Sequence, residues 1–177
     1  MLKTKRLITD IIIMALLVAL DQVSKLWAVR NLKDGTPIIL IKGVLQLYYL
    51  PNGNTGAAFG ILSGHRILFL CIALLVVAVI FYALLRIPCT SKYTFLRILL
   101  VFIAAGGAGN MIDRFRLGYV IDFIYFYLIN FPIFNVADCY VSVSTILVAL
   151  IILFGYKENE LKELEAAFKL KKGNLDE

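Results

Sequence analysis

Four long apolar runs constrain the fold more than any other feature of this sequence. They lie at about residues 7–29, 67–85, 95–112 and 136–156. A helix needs roughly 20 predominantly apolar residues to cross the hydrocarbon core of a bilayer. The composition agrees, because 61% of the 177 residues are hydrophobic and only 17% are charged, unlike a soluble domain. The sequence therefore predicts an integral membrane protein with four spans.

The first run follows the basic start MLKTKR and could be mistaken for a secretory signal peptide. However, Asp21, Gln22 and Lys25 follow where a small-residue cleavage site would be expected. We therefore predict an uncleaved first span. The interpretation is one membrane domain over residues 1–156, with outer loops at about 30–66 and 113–135, and a charged cytoplasmic tail over 157–177, whose pattern indicates a solvated amphipathic helix that then frays.

The distribution of Lys and Arg predicts the orientation. Of 18 such residues, 11 fall in the inner segments if the N-terminus is cytoplasmic, 6 fall in the outer loops, and Lys25 lies within the first span. The positive-inside rule then favours a multi-pass protein of the cytoplasmic membrane with both termini in the cytoplasm. No interleaved basic and aromatic surface suggests nucleic-acid binding.

Four Asp residues are predicted to meet near the outer membrane surface. At 1.5 Å per residue, Asp21 lies roughly 20 Å along the first span and Asp113 roughly 27 Å along the third. Asp138 opens the fourth span from the outer side, and Asp122 lies in the loop before it. An ionisable residue in such a position is a functional hypothesis by default.

The outer loops contain further structure around these carboxylates. Residues 36–50 form two short β-type runs joined at Lys42 and Gly43, which predicts a hairpin resting on the outer surface. Asn54 then sits among Gly and small residues, a composition typical of a short mobile flap. The apolar stretch IDFIYFYLINF, before Pro132, is a possible third strand.

Most of these features also have a structural interpretation. Asp21 and Lys25 form an i, i+4 pair, and Asp113 beside Arg114 can be a neutralised pair at a helix end. GAGN at 107–110 suits close helix packing as well as it suits a site. Cys139 is a weak candidate nucleophile, because no histidine lies near it in the sequence. Asp122 and Asp138 are the hardest to explain structurally, since neither has an adjacent cation.

Two carboxylates at a water-accessible membrane edge can support peptide hydrolysis. If they lie close together, they share a proton, so that the charged member activates water while the neutral member donates to the scissile carbonyl. GxSxG and HExxH are absent, and a single histidine offers no usual metal or nucleophile arrangement. No metal or cofactor is predicted, and the pepsin-type DTG triplet is missing.

Four motifs carry a resemblance to a known family. The sequence closely resembles bacterial lipoprotein signal peptidase, also called signal peptidase II, an intramembrane aspartic peptidase family. The resemblance covers most of the chain and rests on DQVSK at 21–25, NTGAAFG at 54–60, GNMIDRFRLGYVIDFI at 109–124 and FPIFNVAD at 131–138. It implies an all-α membrane bundle of four transmembrane helices, with a small extracytoplasmic antiparallel β-sheet and a short loop helix.

The resemblance also implies an activity and a site. Asp122 and Asp138 would be the catalytic pair at the extracytoplasmic face. The residues implied to line or support the site are Asn54, Gly56, Asn110, Asp113, Arg114 and Asn135, with Asp21 nearby. The implied substrates are prolipoproteins whose cysteine carries diacylglycerol, cut just before that cysteine. Membrane lipids and globomycin-type inhibitors are the other implied partners, and we expect a monomer.

Two other function classes remain open at this stage. The same aspartates could serve as the relay of a proton-coupled transporter or binding protein. Against this, the chain has four spans without an internal repeat, and Asp122 falls outside them. A non-enzymatic assembly subunit would leave the two aspartates unexplained.

Overall fold

Four long helices form the body of the molecule. The computed structural model describes residues 2–51, 53–55 and 66–169. Its four main helices are α1 (Leu2–Leu32), α2 (Arg66–Arg86), α3 (Thr94–Leu117) and α4 (Val136–Leu150). The last of these continues into a π-type turn at Ile151–Gly155. All four are long and apolar enough to cross a membrane, which confirms the predicted bundle.

The helices α1 and α3 extend beyond the apolar runs that predicted them. Hydropathy detects the part of a helix that matches the hydrocarbon core, whereas the helical hydrogen bonding continues into the interfacial regions. As a result, Asp113 and Arg114 lie in the last turns of α3 and not in a loop.

The central element of the bundle is α3. In its most apolar window 50% of the residues are buried, against 11% in each of the other three spans. Glycines permit this close packing, because a Cβ on Gly106 would lie 2.4 Å from the carbonyl oxygen of Ala137 in α4. A Cβ on Gly109 would lie 2.4 Å from Oδ2 of Asp21 in α1. The backbone of α4 therefore lies against α3 at Gly106, and the Asp21 side chain of α1 lies against α3 at Gly109.

A small antiparallel sheet covers one end of the bundle. It contains β1 (Ile38–Ile41), β2 (Leu45–Leu47) and β3 (Ile124–Phe126), in the order β1-β2-β3. The predicted hairpin is present, and Gly43 adopts a φ of +83° in its turn, which a residue with a Cβ rarely adopts. The predicted third strand is present but shorter, because a 3₁₀ turn at Tyr127–Ile129 follows it as the short loop helix.

A fifth helix, α5 (Glu158–Phe168), packs at the opposite end. The Arg86 guanidinium at the end of α2 donates to the Ala167 carbonyl oxygen at 2.7 Å, and the Tyr93 hydroxyl donates to Glu163 at 2.9 Å. The predicted amphipathic helix of the tail is thus present, with one side docked on the bundle. The predicted fraying concerns residues 170–177, outside the described residues.

Candidate active site

Asp122 is positioned by extended backbone that leads into β3. The Leu50 backbone N–H donates to the Asp122 carbonyl oxygen at 3.0 Å, and Asn54 and Val120 exchange two backbone hydrogen bonds of 2.9 Å. Side chains two residues apart on an extended segment share a face. Asn54, paired with Val120, is therefore diagonal to Asp122, and its Nδ2 donates to Asp122 Oδ2 at 2.8 Å.

Asp138 is positioned by the N-terminus of α4. Asn135 is the N-cap of this helix, and its Oδ1 accepts from the Asp138 backbone N–H at 3.0 Å. In return, Asp138 Oδ2 accepts from the Asn135 backbone N–H at 3.1 Å. This reciprocal capping box satisfies backbone donors that the helix start leaves without partners. The other oxygen of Asp138 accepts from Asn110 Nδ2 at 2.8 Å.

Asn135 connects the two aspartates. Its Nδ2 donates to Asp122 Oδ1 at 2.6 Å and to Asn110 Oδ1 at 3.1 Å. With its backbone bond to Asp138, this fully buried residue holds both carboxylates. Each of the four carboxylate oxygens of the aspartate pair thereby accepts a hydrogen bond from an asparagine. The structure brings together the two residues that the sequence predicted as catalytic.

A second layer of buried charges lies next to the aspartate pair. Lys25 Nζ is 2.9 Å from both Asp21 Oδ2 and Asp113 Oδ2, and these side chains are at most 3% exposed. Gln22 Nε2 donates to each of the same carboxylates at 3.1 Å. We call these four residues the Lys25 cluster. The predicted pairing of Asp21 with Lys25 is present, but Asp113 pairs with Lys25 and not, as its position suggested, with Arg114.

The Lys25 cluster holds the backbone segments that carry the aspartate pair. Asp21 Oδ1 accepts from the Ala137 backbone N–H at 3.0 Å, in the first turn of α4. Asp113 Oδ2 accepts from the Ile121 N–H at 3.2 Å, one residue before Asp122. Lys25 also donates to Asn110 Oδ1 at 2.9 Å. Both aspartates are therefore tied to α1 through buried groups.

The environment of Asp122 favours its protonated form. Its side chain is 1% exposed, and burial, together with the negative charge of Asp138, raises the pKa of Asp122 from its ordinary 3.8 to about 7. Hydrogen bonds from Asn54 and Asn135 act in the opposite direction by stabilising the carboxylate. Near neutral pH this carboxyl therefore exists in both protonation states.

The remaining predicted site residues have different positions. Arg114 interacts electrostatically with both aspartates, and its guanidinium lies 5.0 Å from the centre of the Phe69 ring. Gly56, and most of the predicted flap, fall outside the described residues. Within residues 2–51, 53–55 and 66–169, no three His, Cys, Asp or Glu side chains group as they would to hold a metal ion.

Sequence reasoning missed Lys25 and Gln22 as parts of the site. Lys25 pairs with Asp21 in its own helix, and this local pair was enough to explain the lysine. The contacts of Lys25 with Asp113 and Asn110 in α3 were therefore not predicted. A signal was present, because a lysine within a membrane span requires more compensation than an exposed lysine does.

Known proteins share much of this sequence. The model of the family described as Signal peptidase (SPase) II matches residues 13–154. The chain belongs to the signal peptidase II family. A protein named lipoprotein signal peptidase from Clostridioides difficile is 38% identical over 144 residues, 81% of this chain and 94% of that protein. One of the same name from Enterococcus faecalis is 43% identical over 153 residues, 86% of this chain and 89% of that protein.

Solved structures extend the comparison to the fold. A bacterial membrane enzyme determined at 1.9 Å resolution has a TM-score of 0.71 and 32% identity, covering 84% of this chain and 94% of that one. Another, at 2.3 Å resolution, has a TM-score of 0.69 and 30% identity, covering 85% of this chain and 92% of that one. Membership of the signal peptidase II family makes this chain a membrane peptidase, and the transporter and assembly-subunit alternatives lose their support.

Proposed function

We propose that Asp122 and Asp138 are the catalytic pair of an aspartic endopeptidase. The observation that carries this proposal is that one residue, Asn135, holds both carboxylates: its side-chain Nδ2 donates to Asp122, whose pKa is about 7, and its backbone N–H donates to Asp138. Two carboxyl groups held in this way share one proton over a range of pH near neutrality. This state provides a general base and a general acid at once.

The proposed chemistry uses both members of the pair in turn. The ionised carboxylate accepts a proton from water, which attacks the scissile carbonyl carbon, while the protonated carboxyl donates to the carbonyl oxygen. When the tetrahedral intermediate collapses, a proton passes to the leaving nitrogen and the C–N bond breaks. Asn54, Asn110 and Asn135 keep the carboxyl groups oriented by occupying their other lone pairs.

We further propose a lipid-modified prolipoprotein as substrate, cut immediately before the cysteine that carries diacylglycerol. The names of the relatives support this class of substrate. A substrate anchored by acyl chains can reach the aspartate pair by lateral diffusion, since the pair lies at one end of four membrane-length helices. The charge distribution supports an extracytoplasmic site in the cytoplasmic membrane, with both termini cytoplasmic. We also propose a monomer that globomycin-type compounds inhibit.

Near-isosteric substitutions test the catalytic pair. Asp122→Asn and Asp138→Asn should each abolish cleavage of a lipidated prolipoprotein by purified enzyme. The double variant should be scarcely worse than either single variant, because groups that act as one unit are not additive. Asp34→Asn, at an exposed loop carboxylate, is the matched control and should retain activity. Near-normal turnover by either folded variant of the pair would overturn the mechanism.

Mass determination of the products tests the substrate assignment separately. The expected mature fragment begins with the lipidated cysteine. Efficient cleavage at another bond, or equal cleavage of the same precursor without its diacylglycerol, would overturn the assignment while leaving the aspartate mechanism intact. Globomycin added to the same assay should block cleavage.

A further inference from the structure

A second polar site lies between α1 and α3, far from the aspartate pair. A cleft of about 420 Å³ opens there among side chains near the start of both helices. Residue 6 is 15 residues before Asp21 on α1, which separates the cleft from the Lys25 cluster by about 22 Å along the helix axis. The cleft therefore faces the opposite leaflet of the membrane. We call it the α1–α3 cleft, lined by Lys5, Arg6, Thr9, Thr94 and Arg97 above Ile13 and Ile98.

A buried ion pair forms one wall of the cleft. The Arg97 guanidinium pairs with Asp10, and both side chains are almost completely buried. Arg97 also donates to the Leu84 carbonyl oxygen at 2.7 Å. The negative charge of Asp10 is thus compensated within the wall, and it does not neutralise the other cations of the cleft.

Two positive charges remain at the rim. Lys5 is exposed and forms no ion pair with any residue in the described part of the chain. Arg6 donates to the Thr94 hydroxyl at 2.7 Å, which joins α1 to α3 but leaves its charge uncompensated among the described residues. Both helices also begin at this end, so their N-terminal dipoles add positive potential.

The shape of the cleft distinguishes between possible anions. Its cationic rim lies at the start of the helices, where lipid headgroups are found, and Ile13 and Ile98 continue it toward the apolar middle of the spans. A free phosphate would use the rim alone, whereas a phospholipid would use the rim with its phosphodiester and the apolar part with its glycerol and acyl groups. Basic pockets between membrane helices are suited to anionic headgroups.

We propose that the α1–α3 cleft binds the headgroup of an anionic phospholipid from the leaflet opposite the aspartate pair. The phosphodiester lies between Lys5 and Arg6, and an acyl chain follows the apolar surface at Ile13. The bound lipid bridges the starts of α1 and α3. This site does not depend on the proposed peptidase mechanism, because binding is measured without any cleavage.

Lipid retention by the full-length protein tests the proposal. The protein is reconstituted with equal amounts of phosphatidylglycerol and phosphatidylcholine, extracted in mild detergent, and its bound lipids are counted by native mass spectrometry. The wild-type protein should retain phosphatidylglycerol preferentially. Lys5→Gln and Arg6→Gln should each lower that preference about fivefold, the effect expected when one cation no longer contacts the anionic headgroup.

Lys3→Gln is the matched control, since it removes the same charge from the same exposed end of α1 outside the cleft. It should leave the preference unchanged. Equal losses in all three variants, or equal retention of both lipids by the wild type, would overturn the proposal. So would displacement of the lipid by inorganic phosphate, which would identify a free-anion site. If Arg6→Gln unfolds because its hydrogen bond to Thr94 is lost, the result for Lys5→Gln, at an exposed side chain, tests the proposal.

Discussion

Asn135 combines tasks that are usually divided among several residues. Its side-chain oxygen caps α4, its backbone N–H binds Asp138, and its amide nitrogen binds Asp122. Because capping and bridging use different atoms of one side chain, they can be separated by substitution.

Two substitutions at Asn135 should therefore behave differently. Asn135→Ser keeps a good N-cap but loses the amide donor, whereas Asn135→Ala loses both. We expect strongly reduced turnover in both variants, and a loss of about 1.5–3 kcal/mol of stability in the serine variant, because a buried hydrogen bond to a charged group is removed. The alanine variant should lose about 1 kcal/mol more, because it also lacks the N-cap. Circular dichroism melts and cleavage assays measure the two effects, and wild-type turnover in Asn135→Ser would reduce this residue to a cap.

The raised pKa of Asp122 predicts a pH dependence. The folded protein keeps this carboxyl protonated up to a pKa of about 7, against 3.8 for an ordinary aspartate. Its contribution to stability is therefore complete at low pH and is lost as pH rises through about 7. The singly protonated pair disappears over the same range, so turnover should fall on the alkaline side.

Asn54→Ala should move this alkaline fall in turnover to higher pH. The Asn54 side chain stabilises the ionised form of Asp122, and its removal raises the pKa of the carboxyl further. The measurement is the pH profile of kcat, with Asn31→Ala, at an exposed amide of α1, as the control. An alkaline fall in kcat that stays at the same pH or moves to lower pH would contradict the assigned role of Asn54.

The two aspartates were predictable as a site, whereas their connections were not. Carboxylates without adjacent cations in an apolar stretch indicate function from residue type alone. The link through Asn135 depends on how the segment before α4 folds back onto β3, and the contacts of Lys25 depend on how α1 packs against α3. Such geometry is tertiary and leaves no local pattern in the sequence.

At the scale of elements, the glycines of α3 determine how closely its neighbours pack. Gly107 and Gly109 lie in the same helix but have different surroundings. An added Cβ at Gly107 would be 3.5 Å from Val77, an ordinary contact, whereas one at Gly109 would be 2.4 Å from Asp21 Oδ2.

Alanine at these two positions provides a matched comparison. Gly109→Ala should push α1 away from α3, disturb the Lys25 cluster and cost about 1–3 kcal/mol, as overpacking commonly does. Gly107→Ala should be neutral or stabilising, because alanine favours a helix by up to about 1 kcal/mol over glycine. Thermal melts in detergent, together with turnover, test this, and equal behaviour of the two variants would contradict it.

The small sheet was predicted from turn chemistry with partial success. Gly43 indicated the hairpin because its turn requires a positive φ, a local property. The end of β3 after Phe126 was not indicated, since the apolar stretch continues through the following turn. Its length is determined by pairing with the short strand β2, which is again a tertiary constraint.

At the scale of the whole molecule, the aspartate pair and α5 lie at opposite ends of the bundle. The sheet and the hairpin turn at Lys42 share one end, and Ser91, before α3, shares the other with α5. If the pair faces the outside, these two exposed positions lie on opposite sides of the membrane.

Single-cysteine labelling should reveal this orientation. In a variant with Cys71, Cys89 and Cys139 replaced by serine, Lys42→Cys should react with a membrane-impermeant maleimide added to intact cells. Ser91→Cys should react only after permeabilisation. Labelling in the reverse pattern would place the aspartate pair in the cytoplasm and contradict the proposed location.

The position of Lys25 has a consequence for biogenesis. Asp21 and Lys25 lie one turn apart on α1, so the first span can leave the translocon with these opposite charges already matched. The only ion-pair partner of Asp113 in the described part of the chain is Lys25. Asp113 therefore gains this ion-pair partner only when α3 docks on α1. Insertion of the first span thus prepares the counterion that the third span needs during assembly.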